Sequence, residues 1–201
     1  MKIAGGALMT HEGSFRTLIR RGRFGPFADL NAARKLFTAL PGMAPCDLND
    51  FGRGGATVRR VLLTALLTAW DSGGALPEET GVFGWNGGGC TSENLIYWHD
   101  YVSCGREAGR GGLFVATLPT IPYCEAAIAL RCRGRVAYFR TERSSARLEE
   151  LLLAAPPGTY LCGEVTSSSV CMLLTDTRLP GPPLPEASDL KEVFTALEER
   201  A

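Results

Sequence analysis

Apolar positions along the chain follow two spacings, short continuous runs and stretches in which apolar residues recur every three or four positions. The clearest helical stretch, "GGATVRRVLLTALLTAWDSGG", predicts a helix over about 58–70 that ends at Gly73 and Gly74. Its apolar stripe is wide, which favours burial on more than one side. Alternation of such helices with apolar runs predicts a mixed, largely parallel sheet covered by helices on both faces.

The apolar runs predict the strands. A first strand is expected over Lys2–Met9, and another in "TGVFGWN", which leads through a glycine turn into a helix with Thr91 or Ser92 as its N-cap. The runs "PPGTYLCGEV" and "SVCMLLTDTR", separated by "TSSS", predict a hairpin packed on both faces. Between these regions, "LFVATLPTIPYCEAAIALRCRG" predicts a short extended segment, a turn and a helix over 124–130.

The stretch "RVAYFRTERSSARLEELLLAA" predicts a strand over Val136–Arg140, a sharp polar turn, and an amphipathic helix that begins near Ser144. Many enzymes mount a nucleophile on such a strand–turn–helix element, called an elbow below. Residues 1–180 are expected to form a single domain. Residues 181–201 are expected to form a Pro-rich connector and a terminal helix, with Ser188 or Asp189 as N-cap.

Composition narrows the class of protein. The 201 residues, 45% hydrophobic and 21% charged, suit one globular domain, and 21 basic against 21 acidic side chains leave no overall field for nucleic acid or an acidic membrane. The N-terminal apolar run is far shorter than the ~18–20 residues of a membrane span. Seven cysteines in apolar segments without a C-x-x-C pair are typical of a reduced protein. We therefore expect a cytoplasmic protein with no membrane, metal or cofactor partner.

Few side chains suit acid–base chemistry at neutral pH. The two histidines are His11, expected in a surface loop, and His99, interpreted as half-buried and structural. The run "FGWNGGGC" lacks the lysine of a phosphate-binding loop and the spacing of a dinucleotide-binding motif. A structural turn is the favoured interpretation of this run, and a small-ligand site is the alternative.

Several segments, in order, resemble the N-terminal half of a β-ketoacyl synthase, a family with the thiolase fold. They are "KIAGGALMT", "NDFGRGGATVRRVLLTALLTAW", "TGVFGWNGGGCTSEN" and "LFVATLPTIPYCEAAIALRCRGRVAYF", and with the elbow they cover about residues 2–175. The resemblance implies an α/β fold that is a thiolase-like half: a mixed, mainly parallel five-stranded sheet with helices on both faces in three layers.

The same resemblance indicates a degenerate active site. In the family, the strand before the nucleophile ends in Thr-Ala-Cys-Ser-Ser, and the helix N-terminus lowers the pKa of the cysteine. On that pattern Arg143 takes the cysteine position, followed by Ser144 and Ser145. The family's two catalytic histidines and its lysine come from a C-terminal half that has no counterpart here. The resemblance thus implies no catalytic residue and no cofactor.

The resemblance also implies a dimer, because the family pairs the strand before the nucleophile antiparallel with its twin. Half a thiolase fold should moreover leave apolar faces uncovered on the helices at 57–70 and 144–153. We expect a homodimer, or a heterodimer with a full-length ketosynthase, and an acyl carrier protein as a further candidate partner. The expected interface residues are Val136, Ala137, Tyr138, Phe139 and Arg140.

Three functions follow from these patterns. The first is a non-catalytic, ketosynthase-like accessory protein of fatty-acid or polyketide-type biosynthesis that binds a ketosynthase or an acyl carrier protein. The second is half of a split ketosynthase, or an acyltransferase that uses Ser144 or a buried cysteine. The third is a small-ligand binder that uses the "WNGGGC" turn.

Overall fold

The computed structural model of the chain describes residues 1–86, 90–105 and 110–200. Strands and helices alternate through these ranges, as the hydrophobic pattern predicts. In chain order they are β1 (Lys2–Thr10), β2 (Phe15–Thr17), β3 (Arg23–Phe24), α1 (Leu30–Thr38), α2 (Ala56–Asp71), β4 (Gly81–Asn86), α3 (Thr91–Cys104), α4 (Gly111–Ala116), α5 (Ile121–Ala129), β5 (Val136–Tyr138), α6 (Ser145–Ala154), β6 (Thr159–Val165), β7 (Ser169–Asp176) and α7 (Leu190–Arg200).

All of these strands belong to one mixed sheet with the order β3-β2-β1-β7-β6-β4-β5. The α/β class and the mixed sheet are confirmed. Five strands, β1, β7, β6, β4 and β5, correspond to the expected five, and the short β2 and β3 extend the sheet beyond them. Parallel pairing is confined to β4 with β5 and β4 with β6, so it forms a minority rather than the expected majority. The reason is the β6–β7 hairpin, whose second strand pairs antiparallel with β1.

Helices cover both faces of the sheet, which gives the expected three layers. Alternate residues of each strand point to opposite faces, so β6 contributes Leu161 to one core and Cys162 to the other. The first core lies between the sheet and helices α1, α2 and α5, and the second lies between the sheet and helices α6 and α7.

Helix α2 is the central helix of the first core, and its observed span agrees with the predicted one. Every residue from Val61 to Ala69 is buried, because α2 contacts the sheet, α1 and α5, while Phe51 and Met43 pack against the same core. The expectation that α2 exposes an apolar face is therefore wrong. Helix α1 and the segment that follows it supply the missing cover.

A buried carboxylate joins α2 to the start of the sheet. Asp71, which is 3% exposed, accepts hydrogen bonds from the backbone N–H groups of Gly6 (2.9 Å), Ile19 (2.9 Å) and Arg20 (2.7 Å). These donors lie in β1 and in the loop after β2. One side chain thus satisfies three backbone groups that would otherwise lack partners near the core.

The structure confirms some predictions for individual helices and contradicts others. Asp189 caps α7, since its carboxylate accepts the Glu192 N–H at 2.8 Å, as predicted. Helix α3 begins at Thr91 with Cys90 as N-cap, one residue before the predicted caps. The expected extended segment before α5 is wrong, because residues 111–116 form α4, which packs against α3 through Phe114 and Tyr97.

The domain boundary at residue 180 stays a prediction. In the described ranges, every helix is too short or too polar to span a bilayer.

Replacement of Asp71 by Ala leaves the three backbone donors unsatisfied. We expect the free energy of unfolding to fall by about 3 kcal/mol, measured by urea denaturation. Asp50→Ala is the matched control, because Asp50 is 65% exposed and pairs with the exposed Arg53. The control should change stability by no more than about 0.5 kcal/mol. Equal losses in the two variants would contradict this role for Asp71.

Candidate functional site

The candidate site lies where the parallel strands β5, β4 and β6 end at one edge of the sheet. Trp85 on β4 and Glu164 on β6 are directly opposite each other in the strand register. The polar turn after β5 carries Arg143 back toward them. Ligand sites of α/β sheets occur at this carboxyl edge, so the position is the one expected for a nucleophile elbow.

The predicted elbow is present, and its two serines are used structurally. Ser144 is the N-cap of α6, and its Oγ accepts the Arg147 N–H at 3.2 Å. Ser145 is buried and holds the segment before α7 in place: its Oγ accepts the Ala187 N–H, and its own N–H donates to the Ala187 carbonyl, both at 3.1 Å. Both hydroxyls therefore hold backbone groups.

Arg143 makes an ion pair with a buried carboxylate. Its Nη1 lies 2.8 Å from Oε1 of Glu164, and the Glu164 side chain is only 3% exposed. The second oxygen, Oε2, accepts the Leu190 N–H at 2.7 Å. Glu164 thus joins the elbow, β6 and the N-terminus of α7, and both of its oxygens are engaged.

Burial has the largest effect on Glu164 and raises the pKa of its carboxyl above the ordinary value. The hydrogen bond from the Leu190 N–H and the charge of Arg143 lower this pKa, but by less than burial raises it. A raised acid pKa means that the folded chain holds this proton more tightly than the unfolded chain. The free energy of unfolding therefore falls as the pH rises from the unfolded-state pKa of Glu164 to its folded-state pKa. Loss of Arg143 would raise the folded-state pKa further and enlarge this fall.

The space at the elbow is too small for an acyl group. The cavity has a volume of about 10 Å³ and is lined by Trp85, Arg143, Ser144, Leu148, Glu164 and Leu190. A single water needs about 10–15 Å³. The buried Nε1–H of Trp85 has no hydrogen-bond acceptor among the described residues. None of the lining side chains is a histidine or a lysine, so Ser144 has no such base beside it in the described structure.

Four buried thiols of the described chain are not activated. Burial raises the pKa of Cys162 to about 12 and those of Cys90 and Cys132 to about 11. Burial also raises the pKa of Cys171 well above its ordinary value. A nucleophilic cysteine needs the opposite shift, because the thiolate is the reacting species.

A tyrosine that sequence reasoning missed supports the floor of the site. Tyr123 of α5 is fully buried and donates a hydrogen bond to the carbonyl of Trp85. Its ring lies against Gly84 and Gly163, which are paired on β4 and β6. A Cβ atom at Gly84 would lie only 2.2 Å from the ring. The sequence did contain a signal for this contact. A glycine within an apolar strand often marks a place where another group lies close to the backbone, and Gly84 and Gly163 are such glycines.

The expected interface residues lie along an edge of the sheet, because β5 is the last strand in the order. Not all of them point outward. Phe139 packs against Phe83 and Trp85, with ring centroids 5.2 and 5.4 Å away, while Arg140 is exposed. Whether this edge forms a dimer interface stays a prediction.

Large apolar side chains are exposed on α3, α4 and the turn after α4, which we call the α3–α4 arm. No described residue of α3 or α4 is buried, and His99 is exposed, so the prediction of a half-buried His99 is wrong. Thr57 on α2 anchors the arm by donating to Glu93 at 2.8 Å. The exposed side chains, 43% to 64% accessible, are Leu95, Ile96, Trp98, Val102, Phe114, Val115 and Leu118.

The stripe formed by Leu95, Trp98 and Val102 has the predicted helical spacing, but it faces away from the core. Contiguous apolar surface of this kind marks sites of association. The glycines 87–89 of the predicted small-ligand turn lie outside the described residues.

A separate groove of about 250 Å³ lies between the start of α2 and helices α4 and α5. Its walls carry charges of both signs, from Asp50, Glu125 and Arg53, beside apolar Val58 and Val115. It shares no lining residue with the elbow cavity, so it does not enlarge the space at the elbow.

A scan against models of protein families finds no match, and no curated protein matches the sequence. Two solved structures are similar. The first is the ketosynthase (ApeO) in complex with its chain length factor (ApeC) from Xenorhabdus doucetiae, with 9% identity, a TM-score of 0.58 and coverage of 96% of this chain and 89% of that chain. The second is the ishigamide ketosynthase/chain length factor, with 11% identity, a TM-score of 0.48 and coverage of 88% and 58%.

The first of these similarities shows the fold, and at 9% identity it shows the fold alone. The chain has an α/β thiolase-like fold, as the sequence resemblance implied. The predicted restriction to an N-terminal half stays a prediction.

Removal of the Arg143 guanidinium should leave Glu164 as an unpaired buried carboxylate. We expect Arg143→Ala to lower the free energy of unfolding by about 1–2 kcal/mol at about pH 7.5, as measured by urea denaturation. The loss should shrink as the pH is lowered, because protonation of Glu164 removes the unpaired charge.

Two further variants test this account of Arg143. Arg143→Ala combined with Glu164→Gln should recover most of the loss, since no buried charge remains. Arg147→Ala breaks only the more exposed pair with Glu150 and should cost less than about 0.5 kcal/mol. A pH-independent loss in Arg143→Ala would show that the ion pair is not the cause.

Proposed function

We propose that this protein is a non-catalytic, ketosynthase-like accessory subunit of fatty-acid or polyketide-type biosynthesis that acts by binding a ketosynthase. The observation that carries the proposal is the ion pair at the elbow. At the position to which the sequence resemblance assigns the family's cysteine, Arg143 pairs with a buried Glu164 over a cavity of about 10 Å³. An arginine in this position cannot accept an acyl group, and there is no room for one.

The exposed α3–α4 arm supports the binding part of the proposal. Its stripe of Leu95, Trp98 and Val102 is too apolar and too continuous for a surface that only meets water. Such side chains, tryptophan above all, serve as anchors at the centre of protein interfaces. A ketosynthase is the partner proposed, because the similar structure of Xenorhabdus doucetiae is a ketosynthase bound to its chain length factor.

The alignment covers 96% of this chain and 89% of the other, so the similar chain in that complex is of nearly the same length. The proposal assigns this protein a place beside a larger ketosynthase, which would supply the nucleophile and the catalytic histidines that the described residues do not bring to the elbow.

An enzymatic role, as an acyltransferase or as half of a split ketosynthase, predicts that the protein becomes covalently acylated, whereas the proposed function predicts that it does not. We expect no covalent acyl group on the purified protein after incubation with labelled acyl-CoA or acyl carrier protein, because burial raises the pKa of the Cys162, Cys90 and Cys132 thiols and Ser144 serves as a helix cap. Intact-mass spectrometry is the measurement. Stoichiometric acylation that disappears in Ser144→Ala but persists in the control Ser168→Ala would overturn the proposal.

Binding is tested by purification of the tagged protein from its native host. We expect a ketosynthase, identified by mass spectrometry, in a 1:1 ratio. Trp98→Glu places a charge in the apolar stripe and should reduce recovery of the ketosynthase at least tenfold. Leu36→Glu, at a leucine of α1 that is 43% exposed, is the control and should retain it. Recovery of the tagged protein without any ketosynthase would contradict the proposal.

A further inference from the structure

Three exposed arginines lie in and beside the loop that joins β2 to β3. Arg20 and Arg21 belong to the loop, and Arg23 is the first residue of β3, the strand at the end of the sheet opposite to β5. None of the three makes an ion pair with any residue in the described ranges. Residues 13–28 contain no acidic side chain, so the nearby sequence does not neutralise this positive charge.

Contacts from beneath hold this loop in place. The buried carboxylate of Asp71 accepts the backbone N–H groups of Ile19 at 2.9 Å and Arg20 at 2.7 Å. The guanidinium carbon of Arg20 lies 4.5 Å from the centroid of the Trp70 ring, within the range of a cation–π interaction. A loop that is already ordered loses less conformational entropy when a partner binds, so its arginines are well placed for binding.

Arg21 has a backbone conformation that arginine seldom adopts. Its φ of 56° lies in the left-handed region, where a side chain crowds the following carbonyl and glycine is favoured. Within the described residues, its side chain makes no ion pair or cation–π contact that would account for this strain. Strain of this kind concentrates at binding sites, so an arginine in this position points to a ligand for its side chain.

The loop offers side chains rather than backbone groups to an anion. Phosphate sites are commonly built from free backbone N–H groups. In this loop the N–H groups of Ile19 and Arg20 are already bound to Asp71, and the N–H of Gly22 donates to the Thr17 hydroxyl at 2.9 Å. The three arginines outweigh the one carboxylate beneath them, and each guanidinium can pair with a carboxylate through two parallel hydrogen bonds.

An exposed isoleucine narrows the choice of anion. Ile19 precedes Arg20 in the loop and is 54% exposed. A polypeptide with carboxylates beside an apolar side chain can contact both the arginines and Ile19, whereas a phosphate group would use the charge alone. The chain has 21 basic and 21 acidic side chains, so it lacks the extended positive field that favours nucleic acid. An acidic polypeptide is therefore the best match.

We propose that Ile19, Arg20, Arg21 and Arg23 form a docking site for an acidic polypeptide segment in which carboxylates flank an apolar side chain. Arg21 and Arg23 pair with the carboxylates, while Ile19 contacts the apolar side chain. The site shares no residue with the elbow or with the α3–α4 arm. It therefore gives the protein a binding surface beyond the one used in the proposed function.

A fluorescein-labelled peptide of repeating Glu-Glu-Leu sequence tests the proposal by fluorescence anisotropy with the purified protein. We expect wild type to bind this peptide, and added salt to weaken the binding. Arg21→Glu/Arg23→Glu should raise the Kd at least about tenfold. The matched control is Arg135→Glu/Arg140→Glu, which makes the same change in net charge at two exposed arginines that flank β5. The control should leave the Kd within about twofold of the wild-type value.

The variant Arg21→Gly separates binding from folding. Glycine adopts the left-handed conformation without strain, so this variant should resist urea at least as well as wild type while it binds the peptide more weakly. Unchanged binding in Arg21→Gly, or an equal rise in Kd in the two charge-reversal variants, would overturn the proposal. Absence of peptide binding to wild type would also overturn it, as would tighter binding of inorganic tripolyphosphate than of the peptide. The experiment requires no ketosynthase, so its failure is distinct from failure of the proposed function, which is tested by recovery from the host.

Discussion

The ion pair between Arg143 and Glu164 is the interaction on which the candidate site depends. Register in the sheet places Glu164 opposite Trp85 at the carboxyl edge, where its carboxylate is removed from water. A carboxylate in this position needs a counter-charge and hydrogen-bond donors. Without them it takes up a proton or destabilises the fold. Arg143 and the Leu190 N–H meet this requirement. At the same elbow, the hydroxyls of Ser144 and Ser145 hold backbone groups, and the cavity has a volume of only about 10 Å³.

In the proposed function the protein acts through its surfaces, and two surfaces are distinctive. The α3–α4 arm presents an apolar stripe, and the β5 edge presents backbone hydrogen-bonding groups between arginines. The apolar stripe suits association with a partner chain, as the proposed function requires.

Sequence patterns predicted the elements that depend on local spacing. The helix at α2, the β6–β7 hairpin and the strand, turn and helix around Ser144 follow directly from apolar periodicity and capping residues. The partner of Arg143 was not predicted, because it lies 21 residues away along the chain. A signal for it existed: a glutamate within "YLCGEV", a strand expected to be buried on both faces, requires a cation. Periodicity also predicted the stripe on α3, but the same pattern serves a core and a partner equally well.

The most direct test of the account follows an acyl label within the isolated complex. The complex recovered from the host is incubated with a labelled acyl donor, and native mass spectrometry then separates the two chains. The account predicts a 1:1 complex in which the label is carried by the ketosynthase and none by this chain. Label on this chain, at or near Ser144, would contradict the claim that its elbow is closed and non-catalytic.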